Sequence, residues 1–167
     1  DEIAAAAKQR VIESKNKISL EMIRASAKAL PKGGFAFETA LKKPGVSFIC
    51  EVKKASPSKG VIAQEFPFAD IAREYEAAGA AAVSVLTEPF FFKGSDDYLM
   101  QIKKEIKIPV LRKDFTVDEY QLYEAKVMGA DAVLLIGALL DKNTIKDYLS
   151  VCDELSLSAL VEVHDEK

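Results

Sequence analysis

Short apolar runs alternate with amphipathic segments along the chain from residue 46 onward. The apolar runs predict five strands, beginning near residues 47, 82, 109, 132 and 159. Helical spacing between them predicts helices at about 67–78, 96–105, 117–128 and 141–155. Successive strands start 35, 27, 23 and 27 residues apart, which is the size of repeated βα units. This alternation predicts a parallel sheet covered by helices.

The first 45 residues have a different pattern, with helical spacing and no intervening strand. Helices are predicted at about 1–15 and 20–30, with a shorter one from residue 35 to 41. This section carries no catalytic pattern, so we expect a helical extension that covers one end or side of the domain. The predicted organisation is therefore an N-terminal helical extension over residues 1–45, followed by a βα domain over residues 46–167.

Local signals mark several predicted helix ends. Thr116-Val-Asp-Glu119 has the form of a capping box for the helix at 117–128. Gly79 and Gly129 each follow a predicted helix, where a left-handed C-cap favours glycine. The segments that begin at these two glycines also resemble each other, which supports the repeat.

Charged residues stand near the C-terminal ends of three predicted strands. Glu51 and Lys53 lie two residues apart in the first strand and so share a face. Lys113 ends the third strand, and Glu162 lies in the fifth. For Glu51 and Lys53 alone, a structural ion pair is an equal alternative. Because the carboxyl ends of parallel strands lie on one side of the molecule, we favour one shared site for all four.

Two parallel architectures compete for this pattern. A doubly wound sheet buries apolar residues on both faces, whereas a barrel keeps one strand face for its lumen. Charges that face one way on strands one, three and five fit a lumen mouth better. Only five strands are predicted, and a complete (β/α)₈ barrel takes ~250 residues. We therefore expect a partial barrel of about five βα units without its last three.

Composition narrows the class of protein. A hydrophobic content of 49% with 29% charged residues is typical of a globular chain, and a net charge of −3 argues against nucleic-acid binding. No run approaches the ~20 apolar residues of a membrane span, and no secretory signal opens the chain. We expect no membrane contact, a cytoplasmic location, and two buried thiols, Cys50 and Cys152, in a reducing compartment.

Several long motifs resemble the indole-3-glycerol phosphate synthase family. In order along the chain they are Glu51-Val-Lys53-Lys-Ala-Ser56-Pro-Ser-Lys-Gly60, Leu86-Thr-Glu88, Phe92-Lys-Gly-Ser95, Lys113-Asp-Phe115 and Leu160-Val-Glu162-Val-His164. The resemblance implies a (β/α)₈ TIM barrel and a lyase of tryptophan biosynthesis. Such an enzyme converts 1-(2-carboxyphenylamino)-1-deoxyribulose 5-phosphate by ring closure, decarboxylation and dehydration. It uses no metal or organic cofactor.

The resemblance also implies catalytic roles. Lys113 resembles the general acid of ring closure, and Glu162 resembles a catalytic glutamate that acts as base or orients its neighbours. Glu51 and Lys53 resemble the strand-one pair, in which Lys53 binds substrate and is a candidate for the dehydration step. How the two lysines divide the acid roles stays open.

Four further residues are expected to contact substrate. Ser56 follows the first strand and is a candidate hydrogen-bonding partner, although a turn alone would also explain it. Three adjacent phenylalanines follow the second strand, and an anthranilate ring needs a flat apolar wall. The resemblance points to Phe92, Phe115 and Leu134 as that wall. Phe115 and Leu134 would equally suit a core.

Two residues near the predicted site are expected to have other roles. His164 is the only histidine and has no partners at metal-ligand spacing, so we expect it to bind no metal. Asp114, next to Lys113, is expected to organise its loop.

Two other functions stay open on the residues alone. One is a Schiff-base aldolase-type barrel enzyme with Lys113 as nucleophile. The other is a non-catalytic half-barrel fragment. The resemblance implies a small phosphorylated substrate, and it allows fusion or association with other tryptophan-pathway enzymes. Because loops after strands seven and eight often hold phosphate in these barrels, we expect residues 1–167 alone to be inactive.

Overall fold

The computed structural model describes residues 2–62 and 64–164. Within them, helices α1 to α7 cover Glu2–Lys17, Leu20–Ala29, Ala36–Leu41, Phe68–Ala77, Asp96–Glu105, Tyr120–Met128 and Lys142–Leu155. Strands β1 to β7 cover Ile49–Val52, Ala55–Ser56, Gly60–Val61, Ala82–Leu86, Val110–Lys113, Ala132–Ile136 and Ser158–Glu162. The described residues contain no helix long and apolar enough to cross a membrane.

Five of the strands form one parallel sheet in the order β1-β4-β5-β6-β7. One helix lies in each crossover, from α4 between β1 and β4 to α7 between β6 and β7. A doubly wound sheet reverses its strand order at a switch point, whereas here the spatial order follows the chain throughout. The predicted partial (β/α)₈ barrel is therefore confirmed over these five strands.

The two faces of the sheet have different partners because successive side chains in a strand alternate between them. One face carries residues such as Val83, Val110 and Leu135 into a large apolar core with helix residues that include Leu99 and Leu122. Burial of each such side chain contributes about 1.5–3 kcal/mol, so this layer holds the helices against the sheet.

The other face of the sheet is the lumen side. Ala82, Leu111 and Ala132, all near the N-terminal ends of their strands, form a small cluster there with Phe37 of α3. Helix α3 thus covers one end of the lumen, and the opposite end is left for polar residues. The boundary between residues 45 and 46 stays a prediction.

Most predicted element positions are confirmed, and the left-handed glycines Gly79 and Gly129 have φ of 90° and 91°. The capping box is wrong. Glu119 is the N-cap residue of α6 and its side chain makes no capping hydrogen bond. The Gln121 side-chain oxygen instead accepts hydrogen bonds from the backbone N–H groups of Val117 and Asp118, at 2.8 and 3.3 Å, so no threonine cap is needed.

Two further differences concern β1 and the segment after it. No strand was predicted between β1 and residue 82, but β2 and β3 pair antiparallel there, with Ser56 opposite Gly60. Of the two thiols expected to be buried, Cys152 is buried but Cys50 is only half-buried. Cys50 belongs to β1, which is an edge strand of the described sheet, so one side of it lacks a covering neighbour.

Candidate active site

A cavity of about 210 Å³ opens at the C-terminal ends of the parallel strands. It is lined by Glu51, Lys53, Leu86, Glu88, Phe92, Lys113, Asp114, Phe115, Leu134, Ile136 and Glu162. Seven of the eight residues predicted for the site are in this lining; Ser56 is not. Lys113 pairs in register with Leu86, and Glu162 with Ile136, so each charge stands at the last position of its strand.

Elsewhere, a larger hollow of about 350 Å³ is bordered by Gly137, Lys142 and His164, among others. Its ionisable lining consists of Lys142 and His164. We favour the smaller cavity as the site, because convergence of several ionisable groups is a better indicator of chemistry than size.

The Glu51 carboxylate joins the two lysines of the cavity. Its Oε2 accepts a hydrogen bond from Lys113 Nζ at 2.7 Å, and its Oε1 lies 2.7 Å from Lys53 Nζ. Burial raises the pKa of Glu51, but the hydrogen bonds and positive charges of Lys113 and Lys53 lower it by a larger amount, so its pKa lies below the usual value. Glu51 is therefore ionised near neutral pH and orients both amines towards the cavity.

Glu162 faces the same cavity from β7 but has a different partner. Its Oε1 lies 2.9 Å from Nε2 of His164; the His164 side chain is largely open to solvent, whereas the Glu162 side chain is half-buried. His164 was expected only to bind no metal, and this contact with Glu162 was not anticipated. Glu51 and Glu162 thus line the cavity from β1 and β7, the two edge strands of the described sheet.

The apolar wall of the cavity depends on a turn after β4. Glu88 is fully buried, and its carboxylate oxygens accept hydrogen bonds from the backbone N–H groups of Phe90, Phe91 and Phe92, at 3.0, 2.6 and 3.0 Å. The turn also passes against β4 itself: a Cβ at Gly94 would lie 2.3 Å from the Leu86 carbonyl oxygen. Only glycine fits at position 94, and the close approach to β4 restricts the conformation of the turn.

The role of Glu88 was missed in the sequence. Leu86-Thr-Glu88 was recognised as a motif, but no function was given to its acid. The available signal was a single carboxylate between a strand that is apolar except for Ser84 and three phenylalanines. A buried acid in that position needs hydrogen-bond donors, and the backbone of the next residues supplies them.

Asp114 is a second buried carboxylate, next to Lys113. It accepts hydrogen bonds from both terminal nitrogens of Arg10, from the Thr87 hydroxyl and from the Phe115 N–H. Burial raises the pKa of Asp114, but the hydrogen bond from Arg10 and the charges of Arg112 and Arg10 lower it more, so it stays ionised. Asp114 does organise its loop, as expected. The part played by Arg10, 104 residues away, was missed.

The remaining predicted substrate contacts are Ser56, Phe115 and Leu134, and they differ in burial and in access to the cavity. Ser56 is buried in β2, where its hydroxyl accepts a hydrogen bond from the Lys59 N–H at 3.3 Å. That is the contact a turn requires, and a role in substrate binding stays a prediction. Phe115 is half-buried and Leu134 almost fully buried, yet both reach the cavity.

Comparison with known proteins points to one family. The family model "Indole-3-glycerol phosphate synthase" matches residues 1–167. Relatives with that name come from Ruminiclostridium cellulolyticum, 58% identical over 99% of this chain, and Endomicrobium trichonymphae, 53% identical over 100%. A third, from Lachnoclostridium phytofermentans, is 48% identical over 100% of the chain. The chain spans 64–66% of the length of these relatives.

Proposed function

The chain belongs to the indole-3-glycerol phosphate synthase family, and on that premise we propose that the protein closes the indole ring of 1-(2-carboxyphenylamino)-1-deoxyribulose 5-phosphate. The observation that supports this most is the contact of one carboxylate, Glu51, with two lysine amines beside an apolar wall. Ring closure needs proton donors next to a surface that holds a flat aromatic ring.

The first step of the proposed reaction forms a carbon–carbon bond. The ring carbon that bears the carboxylate attacks the ketone carbon, and Lys113 Nζ donates a proton to the ketone oxygen as it becomes a hydroxyl. Carbon dioxide then leaves, and the electrons of its bond restore the aromatic ring. A positioned acid contributes typically 10²–10⁴-fold to such a step.

The second step is loss of water. The new hydroxyl leaves after it is protonated, and a base removes a proton from the carbon next to the nitrogen, which completes the indole. Lys53 or Lys113 serves as the acid, and Glu162 serves as the base from the opposite side of the cavity. Products are indole-3-glycerol phosphate, carbon dioxide and water, so no oxidant or reductant is needed.

The apolar residues of the cavity hold the aromatic ring in this proposal. Phe92 is fixed by the Glu88 turn, and Phe115 by its N–H bond to Asp114. Leu134 provides the third side. We further propose that the protein acts in the cytoplasm on this small phosphorylated molecule. Other tryptophan-pathway enzymes are the partners to test, either fused to this protein or associated with it.

The test uses a full-length chimera, residues 1–167 joined to the part of the Ruminiclostridium cellulolyticum relative that the match leaves uncovered. With the substrate above, we expect indole fluorescence to rise, while residues 1–167 alone give none. Borohydride treatment in the presence of a carbonyl substrate distinguishes this proposal from the aldolase alternative, because borohydride traps a Schiff base as a covalent adduct. Lys113 Nζ is held by its hydrogen bond to the Glu51 carboxylate, so we expect no trapped adduct at Lys113. An adduct without indole formation would overturn the proposal.

A further inference from the structure

We propose that Arg10, in the N-terminal helix α1, is a positioning residue for Lys113 and Phe115 and acts through the Asp114 carboxylate. The inference rests on the proposed function of the cavity. Helix α1 carries no catalytic pattern of its own, and this proposal assigns it a role in the reaction.

The contact between Arg10 and Asp114 has the geometry of a bidentate pair. Arg10 Nη2 donates to Asp114 Oδ1 at 2.7 Å, and Nη1 donates to Oδ2 at 3.0 Å. The side chains are 19% and 2% exposed, so water screens the pair little. Two parallel hydrogen bonds fix the angle as well as the distance of the carboxylate.

The fixed Asp114 carboxylate in turn positions its two sequence neighbours, Phe115 directly and Lys113 through Thr87. Its Oδ1 accepts from the Phe115 N–H at 2.8 Å, and its Oδ2 accepts from the Thr87 hydroxyl at 2.7 Å. The Thr87 N–H in turn donates to the Lys113 carbonyl at 3.2 Å. The carboxylate therefore holds the peptide that joins the proposed acid to the proposed aromatic wall.

Arg112 cannot take the place of Arg10. Its guanidinium is committed to Asp96, Glu124 and the Gln121 carbonyl, at 3.1, 2.8 and 3.2 Å. Among the described residues, Arg10 is the one cation that hydrogen-bonds Asp114.

Loss of Arg10 should change the state of Asp114. The charged groups that act on this carboxylate are Arg10 of α1 and Arg112 of β5. Glu88, of the turn after β4, acts on Arg10, and both Glu88 and Lys113 line the same cavity as Asp114. Without Arg10, its pKa rises, because burial opposes the charge and a main hydrogen-bond partner is gone. Without Arg10 the two parallel hydrogen bonds that fix the carboxylate plane are gone, and a protonated carboxyl is a weaker acceptor, so the Thr87 and Phe115 contacts weaken. A shift of about 1 Å at the chemistry can cost roughly 10²-fold in rate.

The test compares three variants of the full-length chimera: Arg10→Gln, Arg10→Lys and Lys15→Gln. Lys15 is a matched control, because it also belongs to α1 and makes an ion pair at 2.8 Å, with Asp118, that does not involve Asp114. We expect Arg10→Gln to lower kcat about 10- to 100-fold with a much smaller change in KM. Arg10→Lys should recover part of that loss, and Lys15→Gln should stay within about twofold of the parent.

Two further readouts separate positioning from helix docking. In Arg10→Gln, the acid limb of the kcat profile should move to higher pH, as Asp114 titrates closer to neutrality. The Phe115 amide should exchange with solvent deuterium faster, whether or not the protein is active. Circular dichroism confirms that each variant is folded.

The outcomes keep the two claims apart. A parent chimera without ring-closing activity counts against the proposed function, and amide exchange at Phe115 then still decides the Arg10 contact. An active parent whose Arg10→Gln variant matches Lys15→Gln in kcat, acid limb and Phe115 exchange would overturn the Arg10 inference. Equal losses in Arg10→Lys and Arg10→Gln with an unmoved acid limb would do so as well.

Discussion

Replacing Glu88 by glutamine tests the turn that supports Phe92. The wild-type carboxylate is fully buried and accepts three backbone N–H groups from residues 90–92. Glutamine has nearly the same shape but only one acceptor oxygen. When that oxygen takes the place of Oε2, it keeps the Phe91 and Phe92 N–H groups as neutral hydrogen bonds. Its NH₂ group then faces the Phe90 N–H, which is left without an acceptor.

The magnitude follows from these three contacts. A hydrogen bond to a charged group contributes about 1.5–3 kcal/mol, and one between neutral groups about 0.5–1.5 kcal/mol. Two weakened bonds cost about 2 kcal/mol together, and loss of the Phe90 hydrogen bond costs roughly 1.5 kcal/mol more, because that residue is 59% exposed and water replaces the acceptor. The smaller desolvation cost of a neutral amide offsets part of this loss. We expect a net loss of about 2 kcal/mol, or a roughly thirtyfold rise in the opening constant of the turn.

Amide exchange measures this opening directly. With ¹⁵N-phenylalanine in the full-length chimera, the amides of residues 90–92 should exchange roughly thirtyfold faster in Glu88→Gln than in the parent. KM should rise, because Phe92 no longer has a fixed position. Glu105→Gln is the control: it removes an acid whose ion pair with Arg73 is half-exposed on both sides and worth little. Unchanged exchange at residues 90–92 in Glu88→Gln would refute the anchoring role.

Three other predictions concern the charged and thiol groups. Lys113→Met should lower the single-turnover rate about 10²–10⁴-fold, whereas Phe92→Ala should mainly raise KM; the opposite pattern in indole fluorescence assays would reverse the assigned roles. Iodoacetamide should modify Cys50 before unfolding but not Cys152, whose thiol pKa burial raises to about 12; early labelling of Cys152 in the mass spectrum would contradict its burial. The pKa of Glu51 is lowered in the folded state, so its stabilising contribution is present above its unfolded pKa of about 4.3 and is lost as pH falls through the folded pKa. The difference in urea stability between the parent and Glu51→Gln should therefore shrink below about pH 4. A difference that stays constant with pH would contradict the ion pairs.

The barrel end of the site follows from short-range rules. Glu51 and Lys53 share a face because strand side chains alternate, and Lys113 and Glu162 stand at strand ends because the apolar runs stop there. Parallel pairing then brings all these ends to one side of the sheet. The start of each strand in the parallel sheet was predicted to within two residues, and this was enough to expect the convergence of the four charged residues.

The supporting layer could not be read in the same way. Arg10 and Asp114 are 104 residues apart, and the periodicity of α1 does not show which acid on the barrel an inward-facing cation of that helix contacts. The cap of α6 was mispredicted for a different reason: the helix begins at Tyr120, beyond Thr116, and the Gln121 side chain accepts the Val117 and Asp118 N–H groups. The first contact depends on how α1 packs and the second on where α6 begins, and spacing alone gives neither.

The central claim is that the cavity at the strand ends holds the aromatic ring against the apolar wall with Lys113 at the ketone. A crystal structure of the full-length chimera with a substrate analogue whose ketone is reduced to an alcohol tests it most directly. We expect the ring to lie within about 4 Å of Phe92, Phe115 and Leu134. Lys113 Nζ should lie about 3 Å from the alcohol oxygen. An analogue bound elsewhere, or a Lys113 that stays out of reach of that oxygen, would contradict the account.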